Sequence, residues 1–303
     1  MPSRLDVIIN ASAGTSDKEA ARSLLGQLFA ESGIEADISL ARSGEEIVEL
    51  ARRSMRGEAQ TIVAGGGDGT VNAIASMVAG TNRTLGVLPL GTLNHFARDL
   101  RIPLDLKGAA ETIIAGNTIM IDVGEVNERI FLNNSSLGLY PHIVRHRQTI
   151  QRLGHGKWPA FVWATLNVLR RYPFLEVRLS AGEAEFKTRT PFVFIGNNRY
   201  EMESFNIGRR ARLDGGELSV YITNHIGRLG LARLSLRAFF KRLRNAEDFM
   251  ATTLSEVWVE TRHRRMRVAT DGEVAVLETP LHYRVRPGVL RVIVPADPAT
   301  EME

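Results

Sequence analysis

The chain has 303 residues, of which 44% are hydrophobic and 24% charged, with a net charge of +4 and no cysteine. That is the composition of an ordinary globular protein with one large or two moderate domains, and it excludes disulfides and thiolate metal sites. The apolar run in the opening MPSRLDVIIN is too short for a signal peptide, and PAFVWATLNVL (159–169) is well short of a bilayer span, so a soluble, cytoplasmic protein is expected.

In chain order, LDVIIN (5–10) reads as a strand and DKEAARSLLGQLFAESG (17–33) as a helix closing at Gly33. EADISL (35–40) follows as a strand, GEEIVELARRSM (44–55) as a helix and TIVAG (61–65) as a third strand. After a glycine turn, VNAIASMVAG continues a helix that opens at about Thr70, TLGVLPL (84–90) is a strand and AAETIIAG (109–116) another helix. Strands alternating with helices predict a parallel sheet covered on both faces, with ligands beyond the C-terminal strand ends. After about Met120 the rhythm changes to strand-like segments punctuated by Gly, Asn, Asp and Pro, which predicts a mainly antiparallel β domain. Two helix-like stretches, 158–171 and 228–244, interrupt it, and GVLRVIV (288–294) can return to either domain.

The glycine turn at Gly65, Gly66, Gly67 and Gly69 lacks the Lys-Ser/Thr of a P-loop and departs from the dinucleotide fingerprint at Thr70. What it offers is a strand end, bare backbone and a helix N-terminus, a combination that suits a phosphate. Asp68 would repel a bare phosphate, so it points to Mg²⁺ with a nucleotide, and Thr70 could cap the helix or bond a phosphate oxygen. LPLGTLNHFARDL repeats the strand-to-helix turn at Gly91, Thr92 and Asn94, and Asn10-Ala11-Ser12-Ala13-Gly14 is a third such strand end. Late in the chain, TDGE carries Asp271 and Glu273; its plainer alternative is a hairpin turn, since Asp-Gly favours one.

Together GGGDGTVN, LPLGTLNHFARDL and INASAG resemble the diacylglycerol kinase catalytic family, which includes bacterial lipid kinases and sphingosine kinases. The likeness continues through IDVGEV (121–126), NNSSLGLYP (133–141), GNN (196–198), LDGGELSV (213–220) and DGE (271–273). The resemblance implies an ATP- and Mg²⁺-dependent lipid kinase with an N-terminal Rossmann-like α/β nucleotide-binding domain, 1–122 completed by 286–303. It implies a β-sandwich lipid-substrate domain over 123–285, with catalysis between the two. By the same resemblance 10–14, the turn from Gly65 to Val71, and Gly91, Thr92 and Asn94 hold ATP. The resemblance also implies that the pair Asp271 and Glu273 supplies the base that takes the lipid hydroxyl proton; of the two Glu273 is favoured, with Asp271 orienting it or contacting metal, and either assignment stays open.

Three departures stand out. Family members often carry DDG where this chain has Asp214-Gly215-Gly216, which leaves Asp214 and the carbonyls of Arg212 and Glu217 as ligands for a structural Mg²⁺. The family's aspartate after Asn94 is here His95, and the polar threonine after the second strand is missing. Basic residues crowd 142–157, 228–244 and 262–267. Each run suits either an anionic partner or a solvated face, and in 228–244 the arginines and apolar residues separate onto two helical faces. With the resemblance, the expected partners are a lipid alcohol and an anionic membrane surface met peripherally at the inner face, and not nucleic acid. Diacylglycerol, a sphingoid base, a glycolipid and a polyprenol all stay open as acceptors. The alternatives are an NAD kinase-like phosphotransferase, which shares the GGDGT turn, and an inactive lipid- or nucleotide-binding protein at the membrane.

Overall fold

The computed structural model describes residues 4–13, 17–138, 174–182, 184–200, 210, 212–223 and 249–296. The expected helices at 158–171 and 228–244, the basic runs 142–157 and 228–244, and Gly14 lie outside them. The chain forms two compact units, Met1–Val123 with Arg286–Glu303, and Gly124–Val285.

The first unit contains strands β1 (Arg4–Asn10), β2 (Glu35–Ala41), β3 (Thr61–Gly66) and β4 (Thr84–Pro89). Its helices are α1 (Lys18–Glu31), α2 (Gly44–Arg56), α3 (Asp68–Val78), α4 (His95–Asp99) and α5 (Leu106–Ala115). The strands pair in parallel in the order β2-β1-β3-β4. Beyond β4, Arg291 and Val292 of a long strand β16 (Leu281–Ile293) add one more parallel rung.

Local chemistry explains the helices. Asp17 caps α1 by accepting from the amides of Glu19 and Ala20, and Ala21, Leu25 and Phe29 put an apolar stripe on the sheet side. Ser43 caps α2, Asp105 caps α5, and α5 stops at Gly116, whose φ is +70°. Every residue of β3 is buried, as befits the middle strand of a sheet covered on both faces. One expectation is corrected: α3 opens at Asp68, so Thr70 lies inside its first turn and is not its cap.

The second unit begins within β5 (Thr118–Val126) and continues with β6 (Arg129–Phe131) and β7 (Asn134–Gly138). It then contains β8 (Leu175–Ala181), β9 (Ala184–Thr190), β10 (Phe192–Asn197), β11 (Leu218–Thr223) and β12 (Phe249–Leu254), followed by β13 (Glu256–Thr261), β14 (Arg265–Thr270) and β15 (Glu273–Glu278). One antiparallel layer runs β12-β11-β10-β7-β14-β15, and in the other β13 pairs with β16 and β8, and β8 with β9. This is the expected antiparallel sandwich.

Its core is made of alternate residues from both layers, with Leu137, Val193, Ile195, Val220 and Val268 against Val177, Val257, Val259 and Leu281. Tyr283, fully buried on β16, joins the layers by a 3.0 Å hydrogen bond with Ser135 Oγ on β7. Burial holds its hydroxyl well above the ordinary tyrosine range. LHYRVR and GVLRVIV are one strand, because both halves of β16 find a sheet to join.

Gly124 on β5 stands opposite Phe131 on β6, and an added Cβ would lie 2.3 Å from that fully buried ring. Gly124→Ala should therefore destabilise the chain by about 1–3 kcal/mol. Gly44→Ala, where nothing lies within 4 Å of the added atom, should be neutral or stabilising. Urea unfolding of both variants checks the pair.

Candidate active site

In a sheet ordered β2-β1-β3-β4, the connections leave in opposite directions at β1 and β3, and ligands bind at that switch point beyond the strand ends. The three strand ends expected to hold nucleotide meet here. Asn10 Nδ2, at the end of β1, donates to Thr70 Oγ1 on α3 at 3.0 Å, while Asn10 Oδ1 accepts from the Ser12 amide at 2.9 Å. Leu90 N donates to the Gly66 carbonyl, which ties the turn after β4 to the end of β3.

Much of the glycine content is explained by the protein itself. A Cβ on Gly66 would meet Thr70 Oγ1 at 2.5 Å, one on Gly65 would meet Ile9 at 3.0 Å, and one on Gly91 would lie 2.3 Å from Gly67 Cα. The two turns thus approach backbone to backbone. Asn94, at φ +50°, closes the second turn by accepting from Gly91 N and donating to the carbonyls of Pro89 and Gly91. Asp68 accepts from the amides of His95 at 3.2 Å and Phe96 at 3.0 Å, so its carboxylate starts α4. Val71 is a core residue and Thr92 is exposed. No side chain caps the N-terminus of α3. Its first amides remain available at the switch point, the arrangement that favours a phosphate.

Beside it lies an open cleft of ≈ 610 Å³ lined by Ala11, Lys18, Arg22, Ser39, Arg42 and Glu46, among others. Lys18 is only 8% exposed, and burial pushes its amine down from the ordinary lysine value. The sequence reading missed it. The available signal was its place in the stripe 18-21-25-29, where a lysine stands among apolar residues.

In the second unit, β14 and β15 form a two-residue hairpin with Thr270 opposite Glu273 and positive φ at both Asp271 (+48°) and Gly272 (+84°). That is a type I′ turn, the one Asp-Gly favours. The turn also does more. Asp271 Oδ2 accepts from Leu132 N at 2.7 Å, and Oδ1 accepts from Asn133 N at 2.8 Å and Asn134 N at 3.0 Å. Successive amides converging on one anion form a nest, here filled by the chain's own carboxylate.

The carbonyls of the same loop are also taken. Leu132 O accepts from Arg210 and from Asn197 Nδ2, and Asn133 O accepts from the Tyr200 hydroxyl at 2.9 Å and from Asn197 N. Arg210 also donates to Asn133 Oδ1 and is 4% exposed. Burial pushes the Asp271 carboxyl up to about 6, against the pull of the three amides and of Arg210. Glu273, two residues on, is exposed and pairs with Arg129 at 3.2 Å.

The residues expected to hold a structural Mg²⁺ do not fit one. Arg212 lies along the Asp214 carboxylate at 3.1 and 3.4 Å and holds that group below the usual carboxylate range. The Glu217 carbonyl accepts from Asn198 N, and Asn198 Oδ1 accepts from Gly215 N, so a guanidinium and an asparagine stand where cation ligands would be needed. Among the described residues no cluster of three or more His, Asp or Glu side chains could hold a metal. The basic run 262–267 reads as a solvated face, with Arg262 paired to Glu176, Arg265 to Glu278, and Met266 in the core. No helix among the described residues is long and apolar enough to cross a membrane.

A parallel α/β unit with an uncapped strand-helix turn is followed along the chain by an antiparallel sandwich, a two-domain α/β-plus-β architecture. The chain matches the diacylglycerol kinase catalytic domain over residues 4–126 and the YegS C-terminal NAD kinase beta sandwich-like domain over residues 141–294. The second match alone spans just over half of the sequence, so the chain belongs to the family of the YegS C-terminal NAD kinase beta sandwich-like domain, here preceded by a match to the diacylglycerol kinase catalytic domain.

It is 42% identical to a diacylglycerol kinase of Staphylococcus epidermidis over 90 residues, 29% of this chain and 28% of that one. It is 34% identical over 113 residues to a protein of Klebsiella pneumoniae named "Probable lipid kinase YegS-like", covering 37% of this chain and 38% of that one. The chain thus spans under two-fifths of the length of either relative. The crystal structure of a diacylglycerol kinase from Bacillus anthracis superimposes with a TM-score of 0.72 over 98% of both chains at 20% identity, a likeness of fold.

Replacing Asp271 by Asn turns an NH₂ group toward at least one backbone N–H. Asp271→Asn should lower stability at pH 7 by about 1–3 kcal/mol, read as a fall in urea midpoint. Between the ordinary carboxyl value of 3.8 and about 6, the folded chain keeps a proton that the unfolded chain has released. This group's contribution is therefore fully present below about pH 4 and is lost as pH rises through 6. Urea midpoints should fall across that window in the wild type and fall less in Asp271→Asn. A midpoint that rises with pH would mean the amides outweigh burial.

Proposed function

We propose that this chain transfers the γ-phosphoryl group of ATP to the hydroxyl of a lipid alcohol, diacylglycerol being the first candidate by the names of its relatives. The observation that carries the reading is the uncapped N-terminus of α3 at the β1/β3 switch point, flanked by the Asn10–Thr70 bond and the turn at Gly91. Asn10 to Ala13, the Gly65 to Thr70 turn, Gly91, Thr92 and Asn94 are the residues assigned to the nucleotide. The α3 amides would bind phosphate oxygens, and the bare backbone at Gly67 allows close approach.

For Mg²⁺, Asp68 is the fitting residue on the nucleotide side, since a carboxylate has about four acceptor sites and two of them take amides here. A bound Mg²⁺ would supply neutralisation of charge on the phosphates. Glu273 is the base. Its carboxylate takes the acceptor proton as the hydroxyl oxygen bonds to the γ-phosphorus and the bond to the ADP oxygen breaks. Asp271 has no role in proton transfer on this reading: its oxygens are committed to three amides, and it fixes the hairpin from which Glu273 projects. A lipid acceptor implies work at a membrane surface, met peripherally.

The test is transfer of radiolabelled γ-phosphate from Mg–ATP to dioleoylglycerol, sphingosine, a glycolipid and a polyprenol in detergent micelles, with NAD as a further acceptor. At least one lipid should be labelled; labelling of NAD alone would make it an NAD kinase, and labelling of none would overturn the proposal. Glu273→Gln should keep ATP affinity and lose about 10²–10⁴-fold in turnover.

A further inference from the structure

Glu273 has one partner among the described residues, and that partner is itself held. Arg129 on β6 donates from its terminal nitrogen to Glu273 Oε2 at 3.2 Å and from Nε to Thr270 Oγ1 at 3.2 Å. Thr270 is 1% exposed and stands directly opposite Glu273 in the register of the hairpin, so the guanidinium spans the pair that closes the turn. The segment that begins at Arg129 then runs into Leu132, Asn133 and Asn134, whose amides grip Asp271. A short stretch of chain therefore holds the hairpin at 270, 271 and 273.

A lone exposed ion pair is worth little for stability, because two flexible side chains must be ordered to make it. This pair differs in that the arginine is anchored to a buried hydroxyl, so much of its ordering is independent of the glutamate. Without Arg129 the Glu273 side chain, 54% exposed, would keep no hydrogen-bond partner among the described residues and would spread over its rotamers.

We propose that Arg129 is a positioning residue for phosphoryl transfer: by occupying Oε2 it fixes the Glu273 carboxylate and leaves Oε1 turned to the acceptor hydroxyl. Oε1 receives the proton, and Arg129 neither gains nor loses one. The inference rests on the reading of Glu273 as the base. A misplaced catalytic group costs rate even when both substrates still bind, and displacements of about 1 Å can cost 10²-fold. The effect belongs in kcat, not in KM for ATP.

The experiment is steady-state kinetics of the full chain with Mg–ATP and the lipids of the panel above, for wild type, Arg129→Met, Arg129→Lys, Glu273→Gln and the double variant Arg129→Met/Glu273→Gln. Arg129→Met should lose about 10–100-fold in kcat with KM for ATP within about twofold, and added guanidinium should restore part of the loss. Arg129→Lys, which keeps the charge but not the fork, should fall between it and wild type. In the Glu273→Gln background, Arg129→Met should cost less than about threefold more, since both changes disable one device.

Arg129→Met within twofold of wild type, alongside an impaired Glu273→Gln, would overturn the positioning role and leave the base standing. A full additional loss in the double variant would show that Arg129 acts apart from Glu273 and would also overturn it. Turnover of Glu273→Gln near wild type, or no turnover of any lipid by wild type, would remove the base reading and this proposal with it. Thermal midpoints of the variants identify any loss due to unfolding, in which case Arg129→Lys carries the comparison.

Discussion

Three consecutive peptide N–H groups, those of Leu132, Asn133 and Asn134, point at one carboxylate, and the hairpin of the second unit is held by that meeting. A peptide unit turned so that its N–H meets Asp271 turns its carbonyl away, and those carbonyls need donors of their own. Arg210, Asn197 and Tyr200 provide them. The loop is thus held through both ends of its peptide dipoles, by an anion on one side and a cation with two neutral donors on the other. Asp271 takes the left-handed backbone that the type I′ turn requires, and the three hydrogen bonds hold it there. One consequence is that Glu273, although exposed, projects from one of the most constrained turns in the unit.

The first unit is organised on a different principle. There the constraint is steric, and glycine is required because two turns pack backbone against backbone at Gly67 and Gly91. Close packing of the turns and an open helix N-terminus come from the same residues. A side chain at Gly91 would push the turns apart, and a capping side chain at position 67 would occupy the first amides of α3. Asp68 serves this packing, since it begins α4 at the far turn from its own place on α3.

Local rules carried much of this into the sequence. Alternation of strands and helices and the Asp-Gly hairpin are short-range signals, and apart from the start of α3 the described elements they announce stand where expected. The family motifs are equally local, and they pointed to the right architecture. What was illegible is what depends on partners far along the chain. Asp271 reaches residues 137 to 139 positions away, so nothing near TDGE in the sequence announces that its aspartate is a clamp as well as a turn residue. Arg129 is an undistinguished basic residue until the sandwich brings it to Glu273. The sequence shows that the turn at Gly65 and Gly66 needs bare backbone, but not that Ile9 and Thr70 supply a reason for it within the fold. Arg212 beside Asp214 was read through its carbonyl, because spacing alone does not reveal that the guanidinium turns back onto its neighbour two residues on.

Strand β16 joins the sheet of the second unit through Leu281 to Arg284 and that of the first through Arg291 and Val292. During synthesis an N-terminal domain usually folds while the rest is still being made. Here β4 has no outer neighbour from this strand until residue 292 has left the ribosome, although its own sequence was finished some 200 residues earlier, at Pro89. For that interval the nascent first unit displays an open parallel edge, the kind of surface that invites mispairing and that chaperones cover. Completion of the parallel sheet is in this way tied to completion of the sandwich, so a chain interrupted before β16 would carry both halves unfinished.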